Sequence, residues 1–160
     1  MKEQVVMATR ATVAESRAFL SWQDYQEALK RAIAPLTDDQ LGRRVLPGRR
    51  TPGEIAEHIV FGRALHLSRI VEEDAAALTA YHRWDDDGDP PRKAAEIVQG
   101  LEVTWQVIEK RLMGAASSAE LTDGESEVIR TTWGLLDHDL PHAGQLSLLL
   151  RAIGVPGVDL

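Results

Sequence analysis

Four stretches of the chain repeat apolar residues at the spacing of an α-helix, and no stretch of useful length alternates as a β-strand does. Proline and glycine residues separate the four stretches. The expected helices span residues 13–34, 51–80, 89–112 and 131–153. Amphipathic helices of this length bury their apolar faces against one another. The sequence therefore predicts an all-α fold, a four-helix bundle, with residues 1–160 in a single domain.

Composition limits the classes of function open to the chain. It holds 18 Lys and Arg residues against 25 Asp and Glu residues, and the net charge of −7 argues against a nucleic-acid binder, which needs a basic face. It has no cysteine, so it has no disulfide, no cysteine metal ligand and no thiol nucleophile of its own. No signal peptide or membrane-spanning run is recognisable. We expect a cytoplasmic protein that binds neither nucleic acid nor a membrane.

Two charged stretches fall in the predicted connections between helices. Arginines occur in pairs at 43–44 and 49–50, beside Pro47 and Gly48, and we interpret this stretch as a solvated loop. The acidic run at 85–89 lacks the alternate-residue spacing and the distal glutamate of a calcium loop. The sequence assigns no function to either stretch.

The second predicted helix has a well-marked beginning. Thr51 supplies a capping hydroxyl, Pro52 takes the first helical position, and Glu54 follows the cap by three residues, which is a capping box. On the helix that follows, His58 lies among isoleucines that are expected to face inward. Gly62 comes one turn later and would leave space at that level.

His138 and His142 are four residues apart, so they lie on one face of the fourth predicted helix. Two imidazoles at this spacing can bind one metal ion, and His58 would complete a three-histidine site if the two helices pack face to face. Leu136 and Leu140 alternate with the pair, which places it at the margin of an apolar stripe. The alternative is that both histidines are polar residues that face solvent and bind nothing.

The same segment approaches the His-Glu-x-x-His motif of zinc peptidases. Asp139 stands where that motif has its glutamate base, and its side chain is one methylene shorter. Pro141 removes a backbone N–H and is expected to kink the helix. We therefore do not interpret the chain as a peptidase.

Residues 133–146 resemble the last-helix signature of the DinB-like (DinB/YfiT) superfamily of metalloenzymes, and residues 51–58 resemble the start of that family's second helix. The resemblance implies a four-helix bundle of DinB-like topology, forming a homodimer, with a divalent metal ion held by three histidines. The ligands that it implies are His58, His138 and His142. The chain departs from many relatives at Pro141, where they have histidine, and at Ala143, where they have arginine.

The donor set and the resemblance together indicate metal-dependent chemistry on a small-molecule substrate. Three neutral imidazoles leave the double charge of a zinc or nickel ion uncompensated, so the ion would activate water or a thiol. Family members include transferases that use low-molecular-weight thiols. The resemblance thus implies a thiol-dependent S-transferase acting on small electrophiles in stress response or detoxification, with a thiol cosubstrate. The alternatives are a metal-dependent small-molecule hydrolase and a non-catalytic, dimeric metal-binding bundle for ligand sensing or interaction.

Further residues are expected to support the ligands or to line the pocket. Gln145 or Glu57 would hydrogen-bond a ligand histidine, and Gly62 would leave space beside the first ligand. Arg63 would grip a substrate carboxylate or would lie on the surface. His66 is assigned to the edge of the pocket or to no role.

Overall fold

Every regular element in the described part of the chain is an α-helix, as the sequence predicts. The computed structural model describes residues 17–86, 92–116 and 122–159. Its helices are α1 (Arg17–Ile33), α2 (Asp38–Gly42), α3 (Pro52–Ser68), α4 (Ala75–Thr79), α5 (Ala94–Ala116) and α6 (Asp123–Ala152). The starts predicted at residues 13 and 89 lie outside the described residues. None of the described helices combines the length and the apolar character needed to cross a membrane.

The N-terminus of α3 has the capping box that the sequence predicts. Thr51 Oγ1 accepts a hydrogen bond from the Glu54 amide at 3.2 Å, and Glu54 Oε2 accepts one from the Thr51 amide at 2.6 Å. A second capping box, formed by Thr37 and Gln40, starts α2 inside a stretch predicted as a loop. Because each box satisfies amide groups that a helix start leaves unpaired, both beginnings are fixed by local hydrogen bonds.

Two predicted boundaries are wrong. The second helix does not continue to residue 80. Helix α3 ends at Ser68 and the chain turns, and Asp74 in this connection pairs with Lys110 and Arg111 on α5. The fourth helix does not begin at residue 131 or 132. It begins at Asp123, where no proline interrupts the chain and an acidic side chain favours a helix N-terminus.

The four long helices meet in one apolar core. Trp22 of α1 packs between Trp105 of α5 and Trp133 of α6, with ring centroids 5.7 Å and 5.3 Å apart. Helix α3 contacts both α5 and α6. Gly100 allows the close approach of α3 and α5, since a Cβ there would lie 2.8 Å from Val60 Cγ1. The fully buried side chains of this core include Leu29, Ile33, Ile59, Leu67, Ile97, Leu101, Ile108 and Leu146.

Polar side chains cross this core as one hydrogen-bonded network. Arg63 and Asp139 are fully buried and lie 2.6 Å apart between Nε and Oδ2. Arg63 Nη1 also donates to Gln26 Oε1 at 2.7 Å, and Gln26 Nε2 donates to the Leu101 carbonyl oxygen at 3.0 Å. The Tyr25 hydroxyl donates to the Asp139 carbonyl oxygen at 3.3 Å, and burial raises the pKa of Tyr25 above its ordinary value. The network therefore joins all four long helices.

We expect Leu29→Ala to lower the free energy of unfolding by about 2–5 kcal/mol, because Leu29 is fully buried and the substitution leaves a cavity. Leu20→Ala on the same helix removes the same atoms from a side chain that is 45% exposed, and should cost less than about 1 kcal/mol. Urea unfolding followed by circular dichroism measures both values. Equal losses in the two variants would contradict the buried face assigned to α1.

Candidate metal centre

The packing of α3 against α6 brings three histidines together. His58 on α3 and His138 and His142 on α6 each offer one nitrogen, and these atoms all lie within 4.8 Å of one another. The Nε2 atoms of His58 and His138 are 3.3 Å apart. In the described residues, no other group of three or more His, Cys, Asp and Glu side chains is arranged to hold a metal ion.

Gly62 provides the space that this arrangement needs. A Cβ atom at this position would lie 2.5 Å from Nε2 and 2.9 Å from Nδ1 of His138. Any side chain here would displace that imidazole, because real Cβ atoms do not approach so closely. The space predicted beside His58 is therefore filled by the ring of a histidine from the facing helix.

An oxygen atom lies near the Nδ1 atom of each histidine. The contacts, at 3.1 or 3.2 Å, are Asp85 with His58, Asp139 with His138, and Gln145 with His142. The His58 contact has an ion-pair distance but not the alignment of a hydrogen bond. An acceptor oxygen at Nδ1 favours the proton on that nitrogen and leaves the lone pair on Nε2. In His138 and His142 this arrangement leaves Nε2 available as a metal ligand.

The cluster could hold a metal ion. Nitrogen ligands of a tetrahedral zinc ion, each at about 2.0–2.1 Å, are about 3.3–3.4 Å apart, which is the separation found between the Nε2 atoms of His58 and His138. The same 3.3 Å separation also suits an N–H···N hydrogen bond between the two rings, with the donor set by their tautomers. Burial and the Arg50 guanidinium lower the pKa of His58 below its usual value, against the opposing charge of Asp85. A lowered pKa favours the neutral imidazole that metal binding requires.

Gln145 and Glu57, the two residues expected to support the ligands, lie in different surroundings. Gln145 Oε1 is 3.2 Å from Nδ1 of His142. Glu57 instead accepts hydrogen bonds from the Arg92 amide at 2.9 Å and from Arg92 Nη1 at 3.2 Å. Burial raises the pKa of Glu57 above its usual value, although Arg92 opposes the shift. Of the two, only Gln145 contacts a histidine of the cluster.

Arg63 and His66 are not members of the three-histidine cluster, but both lie near His138. Arg63 is fully buried, so it is neither on the surface nor free to grip a substrate, and it reaches His138 through Asp139. The ring centroids of His66 and His138 are 6.2 Å apart, and both rings line a small cavity of about 220 Å³. Burial and His138 lower the pKa of His66 below its usual value.

Asp85 and Arg50 also belong to the surroundings of the cluster, although no sequence pattern predicts them there. Arg50 Nη1 and Nη2 lie 2.5 Å and 3.1 Å from the two carboxylate oxygens of Asp85, which also contacts His58. Burial alone would raise the pKa of Asp85, but Arg50 and His58 hold it below its usual range. Arg50 and Asp85, which the sequence places in two separate connections, therefore meet at the cluster. No local spacing signals a contact between loops this far apart in the chain.

The buried face of α6 is rotated from the predicted one. Leu140 is 46% exposed, whereas Asp139 and Ala143 are fully buried. Because Asp139 faces Arg63 in the core, the next residue, about 100° further round the helix, must face outward. Helix α6 runs through Pro141 without a break. The histidines therefore flank a stripe that is centred on a buried carboxylate.

A cavity of about 610 Å³ adjoins the cluster, and His58 and His142 form part of its wall. Its volume is in the range of small-molecule sites. The rest of the wall combines cationic and apolar side chains, including Leu46, Arg49, Arg50, Ile55, Leu148 and Leu149. A small ligand in this cavity would lie beside two of the three histidines.

No protein-family model, curated protein or solved structure matches the chain. The site is therefore defined by its own geometry, as a three-histidine cluster between two helices that could hold a metal ion. None of these comparisons tests the resemblance to the DinB-like superfamily, which rests on residues 51–58 and 133–146 alone.

We expect Arg63→Met to lower the free energy of unfolding by about 3–5 kcal/mol, because Asp139 would stay buried without its cation. The double variant Arg63→Met/Asp139→Leu removes both charges and should recover most of this loss. Urea unfolding at neutral pH gives the three values needed for the comparison. A double variant no more stable than Arg63→Met would show that the buried charge is not the cause.

Proposed function

We propose that His58, His138 and His142 bind one divalent transition-metal ion, zinc or nickel, and that the protein is a thiol-dependent S-transferase acting on small electrophiles. The observation that carries the proposal is the pair of Nε2 atoms 3.3 Å apart, with an oxygen at the Nδ1 atom of each ring. In this proposal the four long helices form a four-helix bundle of DinB-like topology, as the two sequence motifs imply.

An ion held by His58, His138 and His142 would supply Lewis acidity, which lowers the pKa of a bound thiol or water molecule. The protein's own residues orient the reaction: Asp139 and Gln145 hold the rings of His138 and His142, Asp85 lies beside His58, and the adjoining cavity receives the substrate. Since the chain has no cysteine, the sulfur must arrive with a low-molecular-weight thiol. In the transfer, sulfur bonds to an electrophilic carbon, the leaving group departs with its electron pair, and the thiol proton passes to solvent.

The two departures from the DinB-like pattern leave the ligand positions intact. Pro141 is exposed, so the histidine that many relatives have there would not belong to this cluster. Ala143 is fully buried in the core, so the arginine of relatives has no counterpart at this position. Any cation that recognises a substrate in this chain must come from another element.

We expect protein purified without an affinity tag to contain about one equivalent of zinc or nickel, and His58→Ala and His142→Ala to lose it. His66→Ala and His82→Ala should keep the metal, since the His66 ring centroid is 6.2 Å from that of His138 and His82 contacts Ser68 instead. Elemental analysis by mass spectrometry measures the content. Metal retained in either of the first two variants, or no metal after reconstitution, would contradict the proposal.

With the metal loaded, conversion of a small electrophile such as a halogenated nitroarene should require an added thiol and should yield a thioether. His142→Ala should abolish the reaction, whereas His82→Ala should leave it unchanged. Gln145→Leu removes the oxygen beside His142 Nδ1 and should weaken metal binding about 10–100-fold. Product analysis by mass spectrometry separates the candidates: turnover without thiol identifies a hydrolase, and bound metal without any turnover identifies a non-catalytic protein.

A further inference from the structure

The charged side chains that line the cavity beside the histidines are cationic, although the chain carries a net charge of −7. Arg49 and Arg50 line it, and no acidic residue does so in the part of the chain that the structure describes. Asp85 engages both terminal nitrogens of Arg50. Arg49 is exposed and has no ion-pair partner among the described residues. Its guanidinium is therefore the charge that a ligand can use.

The loop that carries Arg49 is held in place by its neighbours. Arg44 donates a hydrogen bond from Nη1 to the Arg49 carbonyl oxygen, and its Nη2 lies 2.9 Å from Glu54 Oε1. The Arg49 amide donates to the Leu46 carbonyl oxygen at 3.1 Å, across a turn in which Gly48 has a φ of 68°. Glu54 is also the third helical residue of α3 and forms its capping box with Thr51. The backbone at Arg49 is thus fixed relative to the helix that carries the first histidine.

Apolar side chains at the same cavity are left in contact with water. Leu46 and Leu148 are 53% and 70% exposed, and both line the cavity together with Ile55 and Leu149. Exposed leucines that border a cavity gain from any apolar ligand that removes their surface from water. The cavity therefore offers one unpaired cation and an apolar wall to the same occupant.

From these features we infer that the cavity binds a small organic carboxylate with an apolar body, as the substrate of the proposed metal centre. The carboxylate pairs with Arg49, whose planar guanidinium can donate two parallel hydrogen bonds, and the apolar body covers the leucines. A neutral apolar molecule would leave the guanidinium unused, and a purely polar anion would leave the leucines in water. The inference rests on the proposed function for the reaction, but the binding site can be tested separately.

Isothermal titration calorimetry of zinc-loaded protein with octanoate, and with octan-1-ol as the neutral control, tests the charge. Octanoate should bind about tenfold more tightly than the alcohol, a difference of about 1.4 kcal/mol. Arg49→Gln should remove this preference. Arg43→Gln, in the same loop and exposed but not part of the cavity wall, should keep it.

The chain length of the ligand and one leucine variant test the apolar wall. Hexanoate should bind about 15-fold more weakly than octanoate, at about fourfold for each methylene group lost. Leu148→Gln should weaken octanoate binding severalfold, whereas Leu20→Gln on α1, also exposed but not part of the cavity wall, should not. Light scattering on the same variants reports their oligomeric state. A change in oligomeric state with unchanged octanoate affinity would overturn the inference, because the leucines would then belong to an interface between copies.

Zinc stoichiometry, measured in parallel, keeps the two proposals apart. Normal zinc binding in Arg49→Gln with loss of the octanoate preference supports the inference. Equal affinity for octanoate and octan-1-ol in zinc-loaded protein overturns it and leaves the metal centre standing. If zinc does not bind but octanoate still binds in an Arg49-dependent way, the anion site is supported and the metal centre is overturned.

Discussion

The ion pair between Arg63 and Asp139 restricts how α3 and α6 can face each other. A guanidinium or a carboxylate taken out of water costs several kcal/mol unless it is paired and hydrogen-bonded. Here the two groups are 2.6 Å apart, both are fully buried, and Gln26 accepts a further hydrogen bond from Arg63. Rotation of either helix would bury a charge without its partner. The apolar contacts around the pair tolerate small adjustments, but the pair does not, so it sets the orientation that the other contacts follow.

The histidine cluster depends on this same orientation. One carboxylate oxygen of Asp139 pairs with Arg63 and the other faces Nδ1 of His138, so a single side chain belongs both to the core and to the site. Gly62, beside Arg63 in the chain, leaves the room that the His138 ring occupies. The cluster is therefore built by helix packing, and the ring of His138 is held by a group that is itself fixed in the core.

Local patterns predicted the parts of the molecule that local chemistry determines. The capping box at Thr51, the helical spacing of His138 and His142, and the all-helical class each depend on neighbours within about one or two turns. The failures at the site involve distant partners. Leu140 was expected inward because an apolar residue usually faces the core, and the sequence gives no sign that the carboxylate before it has a cation to meet there. Asp85 likewise reaches the site only through the tertiary fold.

The distance along the chain between the two helices of the site has a consequence for folding. His58 and His138 are 80 residues apart, whereas His138 and His142 are separated by one turn. In an unfolded chain, an ion held by the local pair could gain the third imidazole only by closing a loop of that length, at an entropic cost on the order of 4–5 kcal/mol. In the folded protein this loop is already closed, because α3 packs against α6. In a chain without cysteine, a bound ion would therefore act as a reversible cross-link, and the stability of the folded state would follow the supply of metal.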